Sequence, residues 1–310
     1  MKIVTDLHTS LQQKTAATVG FFDGVHTGHV TLLNRLKKEA SQRNLASMVV
    51  TFATHPREIL QSNYQPELLT TTEERITLLA KNNIDICVLL PFSKEMSTLT
   101  SEQFMKRILK ETLLTEYLLL GHDHQFGSDR QNGAIEYIQF GKIIGMKVES
   151  ETAYMKGNTC ISSSTIRRAL ATHKIEEANT YLNYPYFISG IVIGGKQIGR
   201  TIGFPTANIS LTDKRKLIPA DGVYAVKVTI KGNIHQGMMN IGTRPTIDQS
   251  LQKTLEVHIL DFHESIYQEN ISIEFLSFLR NEMRFDSLEK LVQQLLIDKE
   301  NTITFFQQHT

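Results

Sequence analysis

Five short β-rich runs between Thr15 and about Tyr154 alternate with segments of helical periodicity, and this alternation constrains the fold of the chain more than any other feature. The runs cover Ala17 to Phe21, Ser47 to Phe52, Ile84 to Pro91, Tyr117 to Gly121 and Lys147 to Thr152. Between them Val30, Leu33, Leu36 and Ala40 recur at helical spacing, and Thr100-Ser101-Glu102-Gln103 reads as a capping box ahead of Phe104, Ile108 and Leu109. Strands that alternate with helices build βαβ units, so the first half is predicted as an α/β domain with a parallel, Rossmann-like sheet. Ligands of such sheets sit beyond the carboxyl ends of the strands, where loops and helix N-termini converge.

After two helical stretches, Ser163 to Thr172 and Ile175 to Leu182, the pattern changes near Tyr184-Pro185-Tyr186. Strand-like runs punctuated by glycine follow: Phe187 to Ile193, Gly222 to Ile230, Gly237 to Ile241, Thr254 to Leu260 and Ile271 to Phe275. They predict an antiparallel barrel or sandwich, closed by a terminal helix from about Ser287 to Gln307. With 310 residues, about twice the usual domain length, the expected division is into domains 1–183 and 184–310.

A formal net charge of +1 exerts no general pull toward nucleic acid or an anionic membrane, so any polyanion site must be local. Two cysteines, Cys87 in an apolar run and Cys160 near a polar turn, argue against a disulfide framework and a zinc knuckle. No apolar stretch reaches the roughly 18 residues of a membrane span, and the N-terminus lacks a secretory apolar region. The expectation is a cytoplasmic protein with no nucleic-acid, membrane or obligate protein partner.

At the end of the first run stands "GFFDGVHTGH" (20–29), in which His26 and His29 lie three apart. Two imidazoles at that spacing can share a helical face and bind zinc, but a metal site needs a third ligand, and none with suitable spacing accompanies them. A strand-to-helix turn containing Gly20, Gly24 and Gly28 lets backbone approach a ligand closely, and the helix that follows offers free N–H groups to a phosphate. Imidazoles there can stabilise charge building on a phosphoryl group. The tetrapeptide alone leaves metal binding, phosphate handling and a pair of ordinary core or solvated histidines open.

The full decapeptide resembles the adenylyltransferase module of bacterial bifunctional riboflavin kinase/FAD synthetases, in the nucleotidylyltransferase superfamily. "TFATHPREIL" (51–60), "GHDHQFGSDRQNG" (121–133) and "ISSSTIRRAL" (161–170) are similar to further segments of that module, in its order. The resemblance implies that His26 and His29 stabilise the transition state at the α-phosphate and that Ser163, Ser164 and Arg167 hold the triphosphate. It also implies nucleotide or phosphate contacts at Gly20, Phe21, Asp23, Gly28 and Asp123. Hydroxyls and N–H groups at a helix start, with a guanidinium, are a sensible anion site. The chain departs from the pattern at Thr54, His122 and His124, where the family has proline, small or amide residues, and phenylalanine.

In the second half, Gly194-x4-Gly199-Arg200-Thr201 comes within one residue of a Walker A pattern. That motif requires a helix next, and Ile202-Gly203-Phe204-Pro205 denies it one, because proline fixes φ and removes a donor. A glycine-rich turn between strands can still fold over phosphates through Gly194, Lys196, Gly199 and Arg200, with Thr206 and Asn208 as hard oxygen ligands for Mg²⁺. "GGKQIGRTIGFPTANI" (194–209) closely resembles the riboflavin kinase module, and "LIPADGVYAV" (217–226), "MNIGTRPTI" (239–247) and "LEVHILDF" (255–262) continue it. The resemblance implies that Glu256 is the catalytic carboxylate. Alternation puts Glu256 and His258 on one side of a strand and Val257 on the other.

The expected activity is phosphorylation of riboflavin by Mg-ATP, giving FMN and ADP, and then adenylylation of FMN by a second ATP, giving FAD and pyrophosphate. The alternatives are a kinase with a weakened adenylyltransferase half, or a flavin- or nucleotide-binding regulator without turnover. The flavin pockets themselves are not assigned by the sequence.

Overall fold

Six parallel strands make the sheet of the first half: β1 (Lys2–Val4), β2 (Thr15–Val19), β3 (Ala46–Phe52), β4 (Ile86–Leu90), β5 (Thr115–Leu120) and β6 (Lys147–Ser150), in the order β1-β4-β3-β2-β5-β6. This is a computed structural model, and it describes residues 1–7, 11–61, 63, 65–122, 124–129, 132–195, 198–245 and 251–309. All five residues of β2 are buried, as expected of a central strand covered by helices on both faces. Val19, Met48, Val50, Val88 and Leu118 meet in one apolar core. Each such side chain stabilises the fold by about 1.5–3 kcal/mol.

The chain runs from β2 to β3 and β4 on one side and from β5 to β6 on the other, so the strand order reverses between β2 and β5. A crevice opens beyond the carboxyl ends of strands at such a reversal. The loop 20–26 leaves β2 there and enters helix α1 (Thr27–Gln42), whose Leu33, Leu36 and Ala40 form the buried stripe read from the periodicity. The remaining helices are α2 (Pro56–Leu60), α3 (Thr72–Lys81), α4 (Lys94–Ser97), α5 (Ser101–Gln103) and α6 (Ala134–Ile143). Thr100 and Gln103 form the expected capping box, but the turns that follow, Phe104–Thr112, widen into a π-helix. Strand β1 has no counterpart in the sequence reading, because three residues at a sheet edge carry too short a pattern. A small hairpin, β7 (Met155–Lys156) and β8 (Thr159–Cys160), was likewise below that threshold.

The second half is a closed antiparallel barrel, which decides between the barrel and the sandwich. Its strands are β9 (Phe187–Ile193), β10 (Ala207–Leu211), β11 (Gly222–Ile230), β12 (Asn233–Pro245), β13 (Leu251–Ile259) and β14 (Asn270–Arg280), in the order β10-β13-β12-β11-β14-β9. Helices α7 (Ser163–Ala171) and α8 (Ile175–Leu182) precede it, and a single helical turn, α9 (Ile198–Thr201), ends before Pro205. The terminal helix α10 (Leu288–Gln308) sets Val292 and Leu295 against Phe204, Val223 and Met238 on the outside of the barrel.

The described residues form two compact units, Met1–Ser163 and Ser164–Thr310. The change of pattern at Tyr184 therefore marks the first barrel strand, while the two helices before it pack with the barrel. Ala220 N donates to Leu170 O at 3.1 Å, and the Asn179 side chain donates to Phe275 O at 2.8 Å and accepts from Tyr186 N at 2.7 Å. Strand β10 escaped the sequence reading because its five residues interrupt the apolar alternation with Asn208 and Ser210.

Candidate functional site

The loop after β2 adopts a conformation that L-residues reach at a cost. Phe22 and Val25 have φ of 56° and 37°, flanking Gly24 at 81°. Left-handed non-glycine residues cost about 1–3 kcal/mol each, and they persist where surrounding contacts over-determine them. Here the contacts come from Asp23, which is 3 % exposed. Its carboxylate accepts from Leu69 N at 3.0 Å and from Thr70 N at 2.9 Å, and Gly24 N donates to Thr70 Oγ1 at 3.0 Å. Asp23, expected among the nucleotide contacts, thus turns inward and shapes the loop. Ser163 Oγ donates to the Asp23 carbonyl at 2.9 Å, which brings the start of α7 to the same turn.

His26 is the N-cap of α1, and its Nδ1 accepts from His29 N at 3.3 Å. An imidazole that accepts through Nδ1 carries its proton on Nε2. The two rings stack with centroids 3.7 Å apart and planes 19° apart. Gly28 makes this possible, since a Cβ there would lie 3.2 Å from the His26 ring. Burial holds the His29 pKa well below its ordinary value, with His26 and His124 adding repulsion. The His29 Nδ1 is buried and has no hydrogen-bond partner among the described residues. A stacked pair of imidazoles at a helix N-terminus can present N–H donors to an arriving anion. Among the described residues no group of three His, Cys, Asp or Glu side chains is arranged to hold a metal.

Gly20 requires its missing Cβ, which would stand 2.9 Å from the Phe22 ring. Phe21 packs edge-on to His55 at 4.6 Å and beneath the Arg75 guanidinium at 4.2 Å. Ser164 is exposed and Arg167 half-buried on α7. Asp123 lies outside the described residues. Past the carboxyl ends of β3 and β4 is an apolar cavity of about 200 Å³, walled by Phe52, Leu60, Phe92, Met96 and Phe126. Sequence reasoning had no signal for it, because its walls come from four separate segments.

In the barrel, register does the assembling. Glu256 on β13 pairs with Asn208 on β10 and with Asn240 on β12, Asn240 pairs with Val223 on β11, and Val223 pairs with Arg280 on β14. Residues directly opposite each other in antiparallel strands share a face. These five therefore form one row across the outside of the barrel, while Val257 is fully buried on the inside. Four of the five, Glu256, Asn240, Val223 and Arg280, line a cavity of about 270 Å³ between barrel and α10, together with Thr206, His258, Leu295 and Asp298. Thr206 equally lines a second cleft of about 80 Å³, whose walls include Arg200, Ile259, Phe262 and Tyr267.

The glycine-rich turn closes over this row. A Cβ on Gly195 would overlap the Asn208 amide, and one on Gly199 would overlap the Phe204 carbonyl. Gly194 meets nothing within 4 Å, Arg200 is exposed, and Lys196 lies outside the described residues. The site thus brings Glu256, Asn208, Thr206 and the turn together. It adds Arg280 and Asp298, which no motif marked, and Asn240, which lies in the segment 239–247 but was given no role there: their selection depends on strand register and on a helix that packs from far along the chain.

Residues 8–165 match the family model described as FAD synthetase, and residues 182–306 match the one described as riboflavin kinase. The chain is similar to proteins named bifunctional riboflavin kinase/FMN adenylyltransferase from Haemophilus influenzae, 38% identical over 99% of each chain, and from Escherichia coli K12, 36% identical over 99% of this chain and 98% of that one. The protein of that name from Bacillus subtilis is 34% identical over 95% and 93%. A solved structure titled macrolide-efflux protein, from Streptococcus pneumoniae, superposes with a TM-score of 0.87 at 32% identity, covering 97% of both chains. Among the described residues no helix is long and apolar enough to cross a membrane.

Proposed function

The chain belongs to the bifunctional riboflavin kinase/FMN adenylyltransferase family and has both activities, and from that premise we propose which residues perform each step. The region matched by the riboflavin kinase model, 182–306, carries the kinase step, and the region matched by the FAD synthetase model, 8–165, carries the adenylyl transfer. Both act in the cytoplasm.

Riboflavin occupies the larger barrel cleft with its ribityl 5′-hydroxyl at Glu256, and ATP enters from the smaller cleft, with Thr206 on the wall between them. The Glu256 carboxylate takes the hydroxyl proton as the oxygen forms its bond to the γ-phosphorus. The bond from that phosphorus to the β-bridging oxygen breaks, and ADP leaves with the electron pair. Gly194, Gly199 and Arg200 cover the phosphates. Thr206 and Asn208 offer neutral hard oxygens, the donor type that Mg²⁺ accepts while keeping waters and phosphate oxygens. When bound, Mg²⁺ supplies charge neutralisation on the phosphates.

In the adenylyltransferase half an FMN phosphate oxygen attacks the α-phosphorus of a second ATP, and pyrophosphate departs. The second pKa of a phosphate monoester is about 6, so the attacker is already deprotonated at neutral pH and needs no general base. His26 and His29 therefore serve as donors to the α-phosphate charge, with Ser163 toward the β- and γ-phosphates. The aromatic-walled cavity beside Phe52 takes the FMN ring.

The observation that carries this reading is that Glu256 and Asn240, paired across strands, line a cleft that shares Thr206 with its neighbour, with Asn208 paired to Glu256 on the other side. Incubation of the purified protein with riboflavin, ATP and Mg²⁺, with the flavins chromatographed over time, tests it. FMN followed by FAD is the expected course. FMN alone overturns the adenylyltransferase assignment, and unchanged riboflavin overturns both.

A further inference from the structure

Arg280 closes the far end of the row that begins at Asn208, and its guanidinium is held from outside the barrel. Nε donates to Asp298 Oδ1 at 2.8 Å and Nη2 to Asp298 Oδ2 at 2.6 Å, while Nη1 donates to the Asn281 carbonyl at 2.9 Å. Asp298, on α10, is 1 % exposed and also accepts from Gln294 Nε2 at 2.9 Å. A guanidinium has five N–H bonds. The donors engaged among the described residues leave one N–H on each terminal nitrogen of Arg280, and both Arg280 and Asp298 line the cleft that contains Glu256.

We propose that Arg280 is a specificity-determining residue that donates these N–H groups to the carbonyl and imine acceptors on the pyrimidine edge of the riboflavin ring, and that Asp298 is its positioning residue. The inference rests on the assignment of this cleft to riboflavin. Three strand steps separate Glu256 from Arg280, about 14 Å at the usual spacing between strands. A pentitol chain joined to a tricyclic ring spans that gap once both side chains reach inward. The ring is then bordered by Val223, Met238, Leu291 and Leu295, which are apolar walls of the same cleft.

Charge compensation argues for a neutral acceptor. With Asp298 paired bidentately against it, the Arg280 guanidinium has its positive charge matched at close range, so the edge it shows to the cleft offers direction more than attraction for an anion. A phosphate would favour an uncompensated cation. A ring carbonyl needs only donors fixed in place, and the bidentate pair with Asp298 fixes the guanidinium plane.

The test compares wild type with Arg280→Met, Arg280→Lys and Asp298→Asn, measuring kcat, the KM of riboflavin and of ATP, and the Ki of lumiflavin, which has the ring and lacks the ribityl hydroxyl. Loss of two hydrogen bonds from the guanidinium in Arg280→Met should raise riboflavin KM and lumiflavin Ki together by at least about tenfold. ATP KM and kcat should stay near wild type, which also reports that the barrel is folded. Arg280→Lys should recover part of the affinity, and Asp298→Asn should weaken both flavins by a smaller factor. If Arg280→Met does not fold, Arg280→Lys and Asp298→Asn carry the same comparison. A fall in kcat with riboflavin KM and lumiflavin Ki unmoved overturns the role of Arg280 and leaves the cleft assignment standing. Lumiflavin that fails to compete with riboflavin in the wild type overturns the cleft assignment and the inference with it.

Discussion

The Nδ1 atom of His258 lies 2.8 Å from the carbonyl oxygen of Pro205, which ties the strand carrying Glu256 to the segment carrying Thr206. A carbonyl can only accept, so Nδ1 carries the proton. Burial pushes the His258 pKa down, which keeps the ring in the neutral form that makes this contact. Removing the ring orphans a carbonyl and frees the loop at the point where two clefts meet. His258→Ala should destabilise the barrel unit by about 1–3 kcal/mol in urea unfolding. It should also lower kinase kcat/KM for ATP while FAD formation from supplied FMN is unchanged.

His258 and His29 have depressed pKa values in the folded protein, and this sets the sign of the acid response. Above the unfolded value of 6.5 both states are neutral and the groups contribute nothing to the pH dependence. Below it the unfolded chain binds protons that the folded chain does not, so stability falls as pH drops, by at most about 1.4 kcal/mol per pH unit per group. The loss levels off once the folded-state pKa is passed. Denaturant midpoints measured from pH 7.5 downward should decline below about 6.5, and His258→Gln should flatten the decline for the barrel unit.

Glu256→Gln keeps the shape of the row and removes the base. Riboflavin phosphorylation should drop by about 10²–10⁴-fold, the usual worth of a positioned general base. FAD production from supplied FMN should continue at the wild-type rate, measured on the same preparation by chromatography.

His29→Ala should have the opposite profile, suppressing FAD formation and sparing FMN. Asp23→Ala should reach the same result by another route, because Leu69 N and Thr70 N lose a buried acceptor. We expect a loss of about 2–4 kcal/mol in the stability of the first unit, since each orphaned donor costs about 1–3 kcal/mol. A normal melting temperature in Asp23→Ala would show that the loop is held some other way.

Gly195→Ala places a methyl group against the Asn208 amide. The turn or the amide must move, so the kinase should lose activity and require more Mg²⁺ for half-maximal rate. Gly194→Ala, with open space around it, should leave the stability of the barrel unit unchanged in urea unfolding.

Sequence by itself determined the two folds and the two chemistries. The alternation of strands and helices in the first half, and the glycine-punctuated runs in the second, depend on local periodicity, and periodicity survives without any knowledge of contacts. His26, His29, Ser163 and Glu256 were singled out in the sequence for a related reason: phosphate handling needs particular residue types on particular turns, and those turns are written in contiguous residues. Tertiary structure decided what those residues face. Asp23 looked like a ligand contact and is a buried clamp on Leu69 and Thr70, because the strain at Phe22 and Val25 needs an internal partner. Asn240 and Arg280 join Glu256 through cross-strand register, and Asp298 reaches Arg280 from a helix packed on the outside of the barrel. Register and helix docking arise from burial summed over a whole sheet, so no local stretch of sequence carries them.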